Sequence, residues 1–183
     1  DGKKSVEILL RADKREPEIR AVHRLDRDTS GCLLFARNEA ARLRAVDEFE
    51  QQRVVKRYLA IAVGTSRKAL GVVQIPLDGK SAKTVFSVLD ANAQASLLEA
   101  RLFTGRMHQI RRHLAAYGLS VAGDKQYGRP TLSARNARSI SRQMLHAWKL
   151  EIPALALNCT ARVPEDMHDI LSQLRLRLPK STK

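Results

Sequence analysis

Aromatic residues are scarce in this chain: one Trp, three Tyr and four Phe make up 4% of 183 residues. That argues against a surface whose main device is stacking single-stranded bases on a row of rings. Cysteine is nearly absent too. Cys32 and Cys159 each lie in an apolar stretch outside any CxxC pair, so they read as buried, reduced thiols rather than a zinc ribbon or a disulfide framework. No apolar run approaches the roughly 20 residues a membrane span requires, and no charged-then-apolar leader opens the chain. A soluble, cytoplasmic protein is expected. There is no glycine-rich phosphate loop, hence no expected nucleotide cofactor. His108 and His113, five residues apart, fall on different sides of a helix with no carboxylate–histidine pattern to complete a set, so no metal is expected.

Acidic residues are also few. Nineteen Asp and Glu face 33 Lys and Arg, a formal charge of +14, which favours a polyanionic partner and makes RNA the first candidate. From Lys125 to Lys149 no acidic residue occurs, while Arg129, Arg135, Arg138 and Arg142 recur, the last three at helical spacing. This run is expected to contact phosphates. Charge alone does not separate an enzyme acting on RNA from a protein that coats it.

The 183 residues suit one domain with a sizeable core. The charged opening reads as a surface segment, and CLLFA, residues 32–36, as a short strand. Asn38 caps a helix through about Gln51, with Leu43, Val46 and Phe49 on its packed face. Strands are expected at 58–63, 84–89, 97–103, 144–150 and 157–163. A helix starts at Thr104-Gly105 and ends at Gly118, with Ile110, Leu114 and Tyr117 as its core stripe and Arg111 at the border. The last helix begins near Pro164 and buries Met167, Ile170, Leu171 and Leu174. Strands and helices do not alternate regularly, so the class is α+β.

The segment His23 to Gly31, HRLDRDTSG, holds the chemistry. It sets Asp26 between two arginines beside a turn-forming Thr-Ser-Gly, and a carboxylate among fixed positive charges is available as a nucleophile or base at neutral pH. Asp28 is the rival carboxylate, and a cap or a surface ion pair is the ordinary use of either. A histidine-dependent ribonuclease using His23 and His108 is a competing reading, because imidazole titrates near neutrality.

HRLDRDTSGCLLFARN, KRYLAIAVG, GKSAKTVFSVL, LFTGRMHQIRRHLAAYGLSVAGDKQYG and LHAWKL, five ordered blocks over about residues 21 to 150, resemble the RluA-type RNA pseudouridine synthases. The resemblance implies a catalytic domain with a mixed, mainly antiparallel sheet flanked by helices around a basic cleft. It implies a cofactor-free isomerisation: the N1 glycosidic bond of a uridine within rRNA or tRNA breaks, the base turns, and C5 joins the same sugar carbon. Asp26 would attack either the sugar carbon or the uracil ring. Arg111 would pair with that carboxylate, and Tyr58 would stack on the base and assist proton transfer at C5. Arg24 would fill the space left by the flipped base. Arg106, His108 and Gln109 would support the cleft wall or touch the RNA backbone, and Leu145 would line the uracil pocket. A monomer is expected, acting on rRNA or tRNA, a single catalytic domain without its N-terminal segment; the chain begins too late to show the family's lysine-proline-glycine strand or any accessory domain before it. A non-catalytic RNA-binding or assembly protein on the same fold is the alternative.

Overall fold

In the computed structural model, residues 5–128 and 140–179 are described. Helix α1 (Val6–Lys14) leads to β1 (Arg20–Ala21), β2 (Ser30–Gly31), β3 (Phe35–Ala36), α2 (Glu39–Glu50) and β4 (Val55–Val63). Next come β5 (Leu70–Val73), β6 (Thr84–Ala91), β7 (Ala95–Leu102), α3 (Gln109–Tyr117) and β8 (Ser120–Val121). The chain then forms β9 (Leu145–Ile152), a short 3-10 turn, β10 (Leu157–Thr160) and α4 (Glu165–Gln173). The main sheet runs β10-β9-β4-β7-β6-β5 with antiparallel neighbours; β2 joins β9 in parallel and β8 joins β4. This is the expected α+β class with a mixed, mostly antiparallel sheet.

Strand β4 lies in the sheet's interior, and its alternation divides the core. Leu59, Ile61 and Val63 point to one face, where Met167, Ile170 and Leu171 of α4 cover them. Tyr58, Ala60 and Ala62 point to the other, toward Ile110 and Leu114 of α3. A period of two lets one strand serve two environments.

Several local expectations change. The charged opening forms α1, capped by the Ser5 hydroxyl, which accepts from the Ile8 amide. It is docked through Arg11 Nε donating to the Ile19 carbonyl, at 2.7 Å, and the Ala21 amide donating to Glu7, also at 2.7 Å. Helix α2 is capped as expected by Asn38 Oδ1, which accepts from the Ala41 amide at 2.9 Å, but Leu43 points outward and Ala45 and Glu48 are its buried residues. Glu48 tolerates burial because Arg53 pairs with it. CLLFA is a strand only at Phe35–Ala36, while β10 ends at Thr160 and leaves Cys159 exposed rather than buried. Tyr117 is also at the surface. Helix α3 starts at Gln109, five residues late, because Thr104–His108 form a turn held by the Gln109 side chain. It stops at Gly118, whose φ of 91° suits a left-handed cap.

Candidate active site

The HRLDRDTSG loop is anchored at both ends of its turn. The Thr29 amide donates to the Asp26 carbonyl at 2.9 Å, closing the turn, and Gln143 Nε2 donates to Thr29 Oγ1 at 2.7 Å. Arg142 Nη1 reaches the Asp28 carbonyl, and Ser30 Oγ bonds His146 Nδ1 at 2.9 Å. Gly31 closes the segment against β9 with φ of 115°, and a Cβ there would stand 2.1 Å from the Ala147 carbonyl oxygen. Only glycine allows that approach. The turn therefore holds Asp26 over the α3 face of the sheet.

Arg111 meets Asp26 there. Its Nη1 donates to Asp26 Oδ2 at 3.2 Å, while Nε and Nη2 donate to the two oxygens of Asp124 at 2.7 and 2.9 Å. The fork geometry of the second pair fixes the guanidinium plane and leaves Nη1 for Asp26. Asp124 also accepts from the Gln126 and Tyr127 amides. Burial pushes the Asp124 carboxyl up, but Arg111 and the two amides outweigh it and hold the pKa below the usual carboxylate value. The Tyr127 ring lies beneath the Arg111 guanidinium, 5.0 Å from its centroid, and its hydroxyl lies 3.1 Å from His108 Nδ1. His108 Nε2 is 3.9 Å from Asp26 Oδ1. His108 has φ of 53°, which turns the chain into α3.

Tyr58 comes from β4. Its hydroxyl pKa is raised by burial and, to a smaller extent, by the Asp26 charge, so the phenol stays protonated at neutral pH. Tyr58, Asp26, Arg111 and Leu145 share the wall of a cleft of about 450 Å³ with Arg24 and Arg106. A second cavity of about 280 Å³, lined by Arg27, Lys125 and Arg142, meets it at Asp26, His108 and Arg111. Asp26 thus stands where two chambers meet, each lined by several cationic side chains.

The other expected site residues separate by how their polar atoms are used. Arg24 is exposed at the cleft mouth, and Arg106 donates through Nε to the Ser81 carbonyl at 3.0 Å. Gln109 is buried, and its amide is spent on Thr104, the Arg106 amide, Lys83 and Thr84, so it builds the wall and does not reach outward. Arg142 is tied to Asp166 by two bonds of 2.6 and 2.9 Å and to three backbone carbonyls, one of them that of Asp28, which makes it a brace of the Asp26 turn. Arg129, Arg135 and Arg138 lie outside the described residues. Asp28 keeps an exposed carboxylate on the second cavity.

His23 does not match the nuclease reading. Its Nε2 accepts the Leu34 amide at 3.0 Å, its ring stacks on Phe49, and burial lowers its pKa to about 4. It is a neutral brace. Sequence reasoning overlooked Asp124 and Tyr127, which aim Arg111. Their signal was present in GDKQYG, where an acid stands two and three residues before two backbone amides that it can bind.

A carboxylate and a guanidinium aimed by a buried acid meet at the junction of two chambers on an α+β sheet, with a protonated phenol on the wall of the larger one, and together they form the candidate active site of an enzyme. The family model described as RNA pseudouridylate synthase matches residues 1–116. An RNA pseudouridine synthase of Zymomonas mobilis, itself uncharacterized, is 39% identical over 194 residues, 93% of this chain and 85% of its own length. Ribosomal large subunit pseudouridine synthase D of Nitrosomonas europaea is 35% identical over 187 residues, 91% of this chain, which spans 54% of that relative. The solved structure of human RNA Pseudouridylate Synthase Domain Containing 4 superposes with a TM-score of 0.83 at 27% identity, covering 96% of this chain and 84% of that one. The chain belongs to the RNA pseudouridylate synthase family, a family of isomerases, and the RluA-type resemblance holds.

Proposed function

We propose that this chain converts uridine to pseudouridine within structured ribosomal RNA, with Asp26 as the nucleophile. The observation that carries the reading is the Asp26–Arg111 pair set beside the Tyr58 phenol at the floor of the cleft. Asp26 attacks the sugar carbon or the uracil ring; in either case the N1–C1′ bond breaks, the base turns, and a C5–C1′ bond replaces it. The proton leaves C5 and N1 gains one, so the reaction balances without any electron acceptor. Arg111 keeps the carboxylate oriented, and the protonated Tyr58 hydroxyl serves as a hydrogen-bond donor beside the base. Extruding the base from a stack costs a few kcal/mol, which the cationic cleft offsets through phosphate contacts. Relatives named for the large ribosomal subunit favour rRNA over tRNA as substrate.

The test is RNA labelled with tritium at uridine C5. Release of label with an uncut strand supports the synthase, shortened RNA would mark a nuclease, and binding with neither would leave a non-catalytic RNA protein. Label release by the Asp26→Ala variant would sink the nucleophile assignment. Pseudouridine mapping in rRNA and tRNA from cells with and without the protein identifies the substrate.

A further inference from the structure

One cation of the cleft is unlike the rest. Lys56 lies two residues before Tyr58 on β4, on the same face and about 7 Å further along the strand. The residue is only 9% exposed. Among the described residues its ammonium has no hydrogen bond and no ion pair, and its one aromatic contact is the Phe49 ring, 5.8 Å to the centroid. Arg111, comparably buried, has Asp26 and Asp124. Arg53 and Arg57 take Glu48 and Glu99, and Glu50, exposed on the same cleft, makes no ion pair with Lys56. Burial holds its pKa below the usual lysine value.

A buried, unpaired ammonium costs stability, and Lys56 lines the cleft with Phe49, Gly105 and Arg106. Gly105 faces it across the wall: a Cβ at Gly105 would find Lys56 Nζ at 3.8 Å and no other heavy atom within 4 Å. The turn therefore leaves room directly over the charge.

We propose that Lys56 is a phosphate-binding residue, receiving one phosphodiester of the RNA strand next to the target uridine at the Gly105 end of the cleft. The assignment rests on the RNA-substrate reading above. A phosphodiester is the anion that RNA brings, and the strand spacing sets it one nucleotide's reach from a base stacked on Tyr58. The contact completes an ion pair that the free protein lacks, so it contributes to RNA binding and to placement of the uridine, and Lys56 is a positioning residue.

The experiment compares wild type, Lys56→Met and Lys56→Arg on a short RNA hairpin whose phosphates around the uridine are neutralised singly as methylphosphonates. One methylphosphonate should weaken wild-type binding about tenfold and leave Lys56→Met unaffected. Lys56→Met on unmodified RNA should bind about tenfold more weakly, with the salt slope reduced by roughly 0.7 to 0.9, and Lys56→Arg should restore both. KM should rise more than kcat falls. Lys56→Met should also melt higher than wild type, since it removes a buried charge. Equal sensitivity of wild type and Lys56→Met to every methylphosphonate overturns the proposal, as does a kcat loss at unchanged RNA affinity or a lower melting temperature in Lys56→Met. If the methylphosphonate pattern holds but wild type releases no tritium from C5, the isomerase reading falls and the phosphate site stands. Wild type that binds no RNA overturns both.

Discussion

The two faces of β4 are built from one strand yet follow different rules. Behind it, Leu59, Ile61 and Val63 meet Met167, Ile170 and Leu171, and each side chain is satisfied by burial alone. In front, Lys56 and Tyr58 meet the cleft, where polar atoms need partners and do not all have them. The back face can lose a methylene and retain its character. On the front face, removing one acid strands a buried cation. Stability and chemistry are thus divided across the thickness of a single sheet, and the front face carries groups that a purely stable protein would replace with apolar ones.

The sharpest way to widen that contrast is Asp26→Asn. Turnover should fall by more than about a thousandfold, measured as tritium release, while the melting temperature and RNA affinity stay near wild type. A variant that also unfolds would show that Asp26 belongs to the fold. Asp124→Ala tests whether the front face is coupled to stability. It leaves Arg111 buried with Asp26 as its one acidic partner and should cost about 3–5 kcal/mol in urea unfolding, with a loss of turnover in the molecules that remain folded. Unchanged turnover would mean that Arg111 needs no aiming. On the back face, Leu171→Ala should cost roughly 2–5 kcal/mol yet leave kcat per folded molecule unchanged. A kcat loss there would dissolve the distinction between the faces.

The back face was legible because its signals are local. Alternation placed Leu59, Ile61 and Val63, the period of α4 placed Met167, Ile170 and Leu171, and Asn38 and Gly118 marked helix ends through their own backbone chemistry. The front face was legible only in part. Asp26, Tyr58 and Arg111 come from three segments far apart in sequence, and it took the ordered motif blocks to name them together. What escaped depends on tertiary context. Asp124 matters because Arg111 folds back onto it, Leu43 is exposed because none of the described elements covers that side of α2, and Cys159 is exposed because β10 is the edge of the sheet. The late start of α3 has the same origin. Gln109 bonds Lys83 and Thr84 on a neighbouring strand and its preceding turn, a partnership that no helical window could reveal.

The smallest effect concerns His23, a neutral, hydrogen-bonded ring on the wall of the same cleft. Its ordinary pKa of 6.5 is lowered to about 4 in the fold by burial. Between those values the unfolded chain binds a proton that the native protein does not, so stability is fully present above pH 6.5 and declines as pH falls toward 4, by about 1.4 kcal/mol per unit for this one group. The buried His113 and His146 are lowered as well, and push in the same direction. His23→Gln keeps an acceptor for the Leu34 amide but removes the titration. Its unfolding free energy, measured in urea between pH 4.5 and 6.5, should therefore decline less steeply than that of wild type. Parallel slopes would show that His23 becomes protonated in place, and the imidazole would then regain the proton-transfer capacity that its neutral, hydrogen-bonded state denies it.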